Sequence, residues 1–92
     1  MTTYYHIHDF LINKGCDTYF AEKASNYILN LESKPRNSDE LIIETDSVMA
    51  SVCQDLSPMV KTLMMMVGGI KLMTSIYDAI KLLKSNTKNT NQ

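Results

Sequence analysis

Histidine and cysteine side chains near the N-terminus are the first candidates for chemistry. His6 and His8 flank one residue and precede Asp9, and in an extended strand two histidines at this spacing could share a metal ion. On a helix the two side chains diverge. The chain has only these two histidines, whereas zinc takes three or four protein ligands. We therefore predict no metal site and no cofactor.

The two cysteines are the other candidates for reactivity. Cys16 is followed by Asp17 and has no neighbouring base that would activate a thiol. Cys16 and Cys53 could form a disulfide, but residues 1–10 lack the pattern of a secretory signal, so we expect buried free thiols in a cytoplasmic protein. The sequence has no glycine-rich phosphate loop. Together these features predict a protein that is not an enzyme.

Length and composition indicate one small domain. The chain has 92 residues, of which 45% are hydrophobic and 21% charged. Its net charge of -1 is too small to indicate a nucleic-acid partner. The charge is unevenly spread, because residues 37–56 are acidic and residues 57–92 are rich in lysine. The uncharged run between Lys61 and Lys71 is far shorter than the roughly 18 to 20 residues of a membrane span.

The first half of the chain predicts a helical hairpin. Residues 3–13 align Tyr4, Ile7 and Leu11 on one stripe, and Gly15 suits a left-handed helix stop. Asp17 is a suitable cap for a second helix. The apolar face of that helix comprises Phe20, Ala24, Tyr27, Ile28 and Leu31, and its outward face comprises Glu22, Lys23, Ser25, Asn26 and Asn30.

A proline-containing linker at residues 33–37 precedes a third helix, which we expect to begin at Asn37 or Ser38. The apolar face of the third helix comprises Leu41, Ile42, Thr45, Val48, Met49, Val52 and Cys53. Ser57 and Pro58 have the residue types of a cap and a first helical position. A fourth helix therefore begins there, although a single helix bent at Pro58 is the competing interpretation.

The fourth helix carries an unbroken heptad over residues 56–83. Its two core positions are occupied by Leu56, Leu63, Ile70 and Tyr77 and by Met59, Met66, Met73 and Ile80. A second apolar stripe comprises Met65, Leu72, Ile76, Ala79 and Leu83, which leaves a narrow polar stripe of Lys61, Gly68, Lys71, Ser75 and Asp78. A helix over residues 58–84 is about 40 Å long, more than a small monomer covers easily. The pattern favours a partner helix.

Gly68 and Gly69 are the weak point of this helix. Two interior glycines cost on the order of 2 kcal/mol relative to alanine, so the helix could break there. The heptad phase continues from Leu63 to Ile70, and on that ground we predict one continuous helix. The clustered methionines suit either an adaptable binding surface or a core, and we favour the core. If any of them is exposed, we expect it to be Met64, which lies at the edge of both stripes.

The expected fold is all-α: about four helices, with a helical hairpin first and a long apolar C-terminal helix, in one domain at 1–84 followed by a disordered polar tail at 85–92. We expect a homodimer or another protein partner, in an adaptor, inhibitor or chaperone-like role. The predicted contact residues are Met59, Leu63, Met64, Met66, Ile70, Met73, Tyr77 and Ile80. The alternative is a small DNA-associated regulator, since Gly15 separates two short helices and the C-terminal end is basic. A third possibility is a subunit that is stable only within a larger assembly.

Overall fold

The computed structural model describes residues 3–83, which form five α-helices and no strand in that range. The helices are α1 (Tyr4–Asn13), α2 (Thr18–Leu29), α3 (Ser38–Asp55), α4 (Pro58–Val67) and α5 (Gly69–Ile80). The all-helical class is therefore confirmed. The predicted domain end at 84 and the predicted disordered tail at 85–92 lie outside the described residues.

The α1–α2 hairpin forms as its caps predict. Thr3 and His6 make a capping box at the start of α1, and Gly15 ends it with a φ of +93°. The Asp17 carboxylate accepts a hydrogen bond from the Tyr19 backbone N–H at 2.8 Å and so caps α2. Ser25, predicted to face outward, is instead buried, and its hydroxyl is satisfied by donating to the Ala21 carbonyl at 2.6 Å.

Helix α3 and the start of α4 also follow local signals. Asn37 caps α3 and forms a capping box with Glu40, in which each residue accepts the other's backbone N–H. Leu56 is extended and ends α3, and Ser57 caps α4 ahead of Pro58. Helices α3 and α4 are thus separate, as predicted.

The core lies where the hairpin meets α3 and α5. Helix α2 packs between α1 and α3, and α5 packs on α3 and also reaches α1 and α2. The largest fully buried apolar side chains are Phe20, Ile7, Leu11, Ile28, Leu72, Ile76, Ile80 and Val52. Helix α5 is therefore the central part of the C-terminal half, and α4 lies mainly against α5.

The predicted long C-terminal helix is wrong. The helix is interrupted at Gly68, which has a φ of +114° and a ψ of +113°. Glycine adopts these angles readily, whereas other residues adopt them only with strain. Helices α4 and α5 meet there at 92°. The heptad continues through the break because each half is amphipathic by itself, and continuity of phase does not require continuity of the helix.

Two residues of α5 have environments opposite to those predicted. Ile70, placed in the middle of the predicted seam, is 85% exposed, whereas Ser75, placed on the solvent stripe, is 2% exposed. The apolar side chains that α5 buries are those of the second stripe together with Ile80: Leu72, Ile76, Ala79 and Ile80. Ser75 shares their face and satisfies its hydroxyl by donating to the Lys71 carbonyl at 2.8 Å.

Candidate interaction surfaces

The structure divides the predicted contact stripe into three environments. Met64 and Ile80 are buried in the core, so the expectation that Met64 is the most exposed methionine is wrong. Met73 and Tyr77 are half-buried and line a groove between α3 and α5. The remaining four residues, Met59, Leu63, Met66 and Ile70, are exposed on α4 and on the first turn of α5.

These four exposed side chains form what we call the elbow surface. Met59, Leu63 and Met66 follow i, i+4, i+7 spacing and share one face of α4. Their exposed fractions are 74%, 57% and 78%, and Ile70, on the first turn of α5 just after the bend, is 85% exposed. Met65, which is 60% exposed, flanks it. Grouped exposed apolar side chains of this size are typical of binding sites.

Helix α4 packs on the core through the side next to its exposed face. Met64 is 3% exposed and belongs to the core cluster, and Val60 packs against that cluster one turn earlier. Ser57 accepts a hydrogen bond from the Val60 N–H at 3.3 Å and caps the helix. The helix is thus packed on the side that carries Val60 and Met64, while the side that carries Met59, Leu63 and Met66 stays in solvent.

A shallow pocket of about 330 Å³ lies beside the elbow surface. It is lined by Asp17 and Tyr19 at the start of α2 and by Val60, Leu63 and Met64 of α4. Tyr19 is itself largely exposed. The pocket extends the apolar surface toward the hairpin and offers a concave site for one side chain.

Charged residues are sparse in the segment that carries the elbow surface. Helix α4 carries Lys61 and no carboxylate, and the next acidic residue along the chain after Asp55 is Asp78. Lys71 follows Ile70 at the start of α5. Lys61 is two residues from both Met59 and Leu63, which places it on the far side of α4 from the elbow surface, and Asp17 lines the neighbouring pocket. The elbow surface itself is therefore apolar.

The second surface is the α3–α5 groove, which has a volume of about 400 Å³. Its lining comprises Ile42, Thr45, Asp46, Met73, Thr74, Tyr77 and Asp78. Ile42, predicted on the apolar face of α3, is 52% exposed because it lies at the edge of that face, beside the groove. The groove therefore combines apolar walls with two carboxylates.

Some polar groups in and beside the groove have an interaction partner within the protein, and one does not. The Asp78 carboxylate forms an ion pair with Lys14 at 3.3 Å. The Lys81 ammonium lies 5.6 Å from the centre of the Tyr77 ring, a cation–π contact. Thr45 is 3% exposed, and its hydroxyl has no hydrogen-bond partner among residues 3–83. A buried hydroxyl without a partner is unusual in a folded protein.

The cysteines and histidines are used structurally. Burial raises the pKa of the Cys16 thiol, and a hydrogen bond with Ser75 and the nearby Lys71 oppose that effect more weakly. Such a thiol stays protonated at neutral pH and is a poor nucleophile. His6 accepts the Thr3 N–H in the capping box, and His8 stacks on Tyr4 at 5.6 Å. The described range contains no group of three or more potential metal ligands.

Sequence reasoning missed the importance of Arg36. Its side chain is 2% exposed, and its guanidinium donates to the carbonyls of Lys34 at 3.0 Å, of Leu83 at 3.4 Å, and of Glu32. It also pairs with the Glu44 carboxylate of α3. The planar fork of arginine suits several acceptors at once. The residue type in a proline-containing linker was the only available signal, and it did not reveal these acceptors.

Comparisons with protein-family models, with curated proteins and with solved structures give no match. Within residues 3–83, none of the helices is by itself long and apolar enough to cross a membrane. Helices α4 and α5 meet the length and composition test only as a pair bent by 92°.

Proposed function

We propose that this protein is a non-enzymatic protein–protein interaction module that acts through the elbow surface. The observation that carries the proposal is the set of four large apolar side chains, Met59, Leu63, Met66 and Ile70, that are 57–85% exposed on one short helix and the adjoining turn. Their burial against a partner contributes roughly 1.5 to 3 kcal/mol per fully covered side chain. An adaptor, an inhibitor or a chaperone-like protein would use such a surface.

The packing of α4 on the rest of the fold supports this role. Met64 and Val60 fix one face of the helix, while the 92° bend at Gly68 keeps α4 out of line with α5. The exposed residues are therefore presented by a short helix that is already ordered. A pre-ordered helix loses less conformational entropy on binding than a segment that must fold first.

The geometry favours this proposal over a DNA-associated regulator. Helix α2, which would be the recognition helix of a helix-turn-helix, packs between α1 and α3. Its one lysine, Lys23, is half-buried and next to Glu22. A recognition helix needs an accessible face with donors for phosphates and base edges.

Site-specific photo-crosslinking tests the proposal. A photoreactive phenylalanine analogue at position 66 is irradiated in the purified protein and, in parallel, in cells that make it. The matched control carries the same analogue at Ser47, an exposed position on α3 outside the groove lining. We expect protein adducts of defined mass from position 66 that are lost when Leu63 is changed to Asp. Absence of any position-66-specific protein adduct in both samples would overturn the proposal.

A further inference from the structure

We propose that the α3–α5 groove is a second binding site, and that it takes a primary ammonium group attached to an apolar body. The groove has a volume of about 400 Å³. It shares no lining residue with the elbow surface, so this inference goes beyond the proposed function and does not rest on it. The chemistry of the ligand follows from the apolar walls, the charges and one buried hydroxyl of the groove.

The walls of the groove offer apolar contact from two helices. Ile42 lies on α3, whereas Met73 and Tyr77 lie one turn apart on α5. Ile42 is 52% exposed, and the other two side chains are half-buried. The apolar body of a ligand placed between these walls covers surface that the fold itself leaves in contact with water. This burial favours an alkyl chain or an aromatic ring over a fully polar ligand.

The charged groups of the groove select a cation. Among the described residues that line it, Asp46 and Asp78 are the charged ones. Asp78 pairs with Lys14, whereas the Asp46 carboxylate has no ion pair or hydrogen bond within residues 3–83. A carboxylate beside apolar walls attracts a positively charged ligand and repels an anion.

Two lysines of the chain itself show which group these residues accept. The Lys14 ammonium lies 3.3 Å from the Asp78 carboxylate, and the Lys81 ammonium lies 5.6 Å from the centre of the Tyr77 ring. Two lining residues thus already contact ammonium groups, one through an ion pair and one through a cation–π contact. Asp46 is the anionic group of the lining to which no cation of the described residues is paired. We therefore place the ammonium group of the ligand at Asp46.

The hydroxyl of the preceding residue is a second, independent sign of a ligand at this position. Thr45 lines the groove and is 3% exposed, yet its hydroxyl has no hydrogen-bond partner within the described part of the chain. An ammonium group has three N–H donors, and a hydroxyl oxygen accepts one of them. Because the hydroxyl is enclosed, this contact requires a rotation of the Thr45 side chain to another χ1 rotamer. An ammonium group held by Asp46 and Thr45 together satisfies a polar group that the fold leaves without a partner.

Methyl NMR on the full-length chain tests the inference. The chain is labelled with carbon-13 at the methyl groups of its seven methionines, of which Met73 reports on the groove and Met59 and Met66 on the elbow surface. The probe is phenylbutylamine, and the matched controls are the neutral phenylbutanol and the anionic phenylbutyrate. We expect the amine to shift the Met73 signal saturably, with a Kd at least about tenfold lower than that of either control, because both controls lack the cation.

Substitutions assign the position of the ammonium group. Asp46→Asn should raise the Kd of the amine about tenfold and remove its advantage over the alcohol, because the amide is uncharged. Thr45→Val keeps nearly the same shape without the hydroxyl and should raise the Kd about threefold. The matched control is Glu22→Gln, which removes one negative charge from an exposed position on α2 and should leave the Kd unaltered. Thermal unfolding checks that each variant keeps its fold.

The ammonium group has two natural sources, a free amine and the lysine side chain of a protein. A second probe, a lysine blocked at its backbone amine and carboxyl groups, distinguishes them. Tighter binding of the blocked lysine than of phenylbutylamine identifies a protein lysine, and the reverse order identifies a free amine with a larger apolar body. Either order supports the site, provided that Met73 is shifted and Asp46→Asn weakens binding.

Several results would overturn the inference. These are equal binding of the amine, the alcohol and the acid, an unchanged Kd in Asp46→Asn or Thr45→Val, and a Met73 signal that does not respond to the amine. If the amine shifts Met59 and Met66 in place of Met73, the elbow surface has bound the ligand, so the groove proposal fails and the proposed function stands. If position 66 gives no protein adduct while Met73 still responds to the amine, the proposed function fails and the groove proposal stands.

Discussion

Arg36, in the linker at residues 33–37, and the side chains of the elbow surface have environments opposite to those that their polarity suggests. The linker is polar, yet Arg36 within it is 2% exposed and is surrounded by hydrogen-bond acceptors. The elbow surface is apolar, yet Met66 is 78% exposed and Ile70 is 85% exposed. A polar group is buried at little cost where the fold satisfies its hydrogen bonds, and an apolar group stays outside where no neighbour covers it.

The difference indicates distinct roles for the two regions. Arg36 joins the linker, α3 and Leu83 beyond the end of α5, so the linker contributes to the stability of the monomer. Most of the elbow surface contributes little to the monomer core. Substitutions that destabilise the fold should therefore cluster at Arg36 and at the buried residues of α4 and α5. Substitutions that alter binding should cluster on the elbow surface.

The largest expected effect comes from placing a carboxylate on the buried side of α5 and comparing it with one on the exposed side. Ser75→Asp places a carboxylate on the buried face and should destabilise the fold by about 4 kcal/mol. Ile70→Asp, on the exposed face, should change monomer stability by about 0.5 kcal/mol or less. Urea denaturation measures both. Equal losses would show that Ile70 is part of the monomer core and would remove the contrast between the two regions.

Removing Arg36 should have the next largest effect. Arg36→Ala leaves carbonyls and the Glu44 carboxylate without their donor, and we expect a loss of about 3 kcal/mol in the free energy of unfolding. The control is Lys34→Ala, which removes an exposed ion pair with Glu40 and should cost under about 1 kcal/mol. Indistinguishable urea midpoints for the two variants would mean that the linker is not anchored through Arg36.

Neighbouring methionines on α4 provide a matched pair. Met64→Ala removes the buried anchor of the helix and should cost about 2 to 3 kcal/mol. Met66→Ala removes an exposed side chain and should change stability by about 0.5 kcal/mol or less. Thermal unfolding at low protein concentration measures the monomer. Equal shifts in Tm would contradict the assignment of the two faces of α4.

The two adjacent glycines test the bend itself. Gly68→Ala should cost about 1 to 2 kcal/mol, because φ there is +114° although a Cβ would meet open space. Gly69→Ala lies in α5, and its added Cβ meets Met65 at an ordinary 3.6 Å, so stability should stay the same or rise slightly. Circular dichroism and urea denaturation distinguish the variants. More helix without loss of stability in the Gly68 variant would favour a straight helix.

The smallest effect concerns acid sensitivity at the linker. A hydrogen bond from the Asn37 backbone N–H, and then the Lys34 ammonium, lower the pKa of Glu40 below its ordinary value of 4.5. A lowered pKa in the folded state stabilises the protein above pH 4.5, and this contribution is lost as the pH falls through the folded-state pKa. Glu40→Gln should therefore lower Tm slightly at pH 7 and have less effect near pH 3. A pH-independent difference in Tm would contradict this.

Local signals predicted much of the fold because each depends on a few neighbouring residues. Asp17, Asn37 and Ser57 cap their helices as expected, and Gly15 ends α1 in the left-handed region. These residues act through backbone N–H groups within three positions of themselves, so no distant contact alters their role. The predicted interaction site was only partly recovered, because its residues repeat regularly along the chain while the chain bends between them.

By itself the sequence determined the helical class, the starts of α1 to α4 and the apolar character of the segment from Pro58 to Ile80. Only the tertiary structure decided which apolar residues are covered, because burial depends on what packs against each face. The Gly68 bend let α5 bury Ile76 and Ser75 in the core and turned Leu63, Met66 and Ile70 toward solvent. The heptad stripe and the second apolar stripe are both amphipathic patterns with helical spacing, so hydrophobicity does not decide which of them is buried. The packing of α5 against the hairpin and α3 decides it.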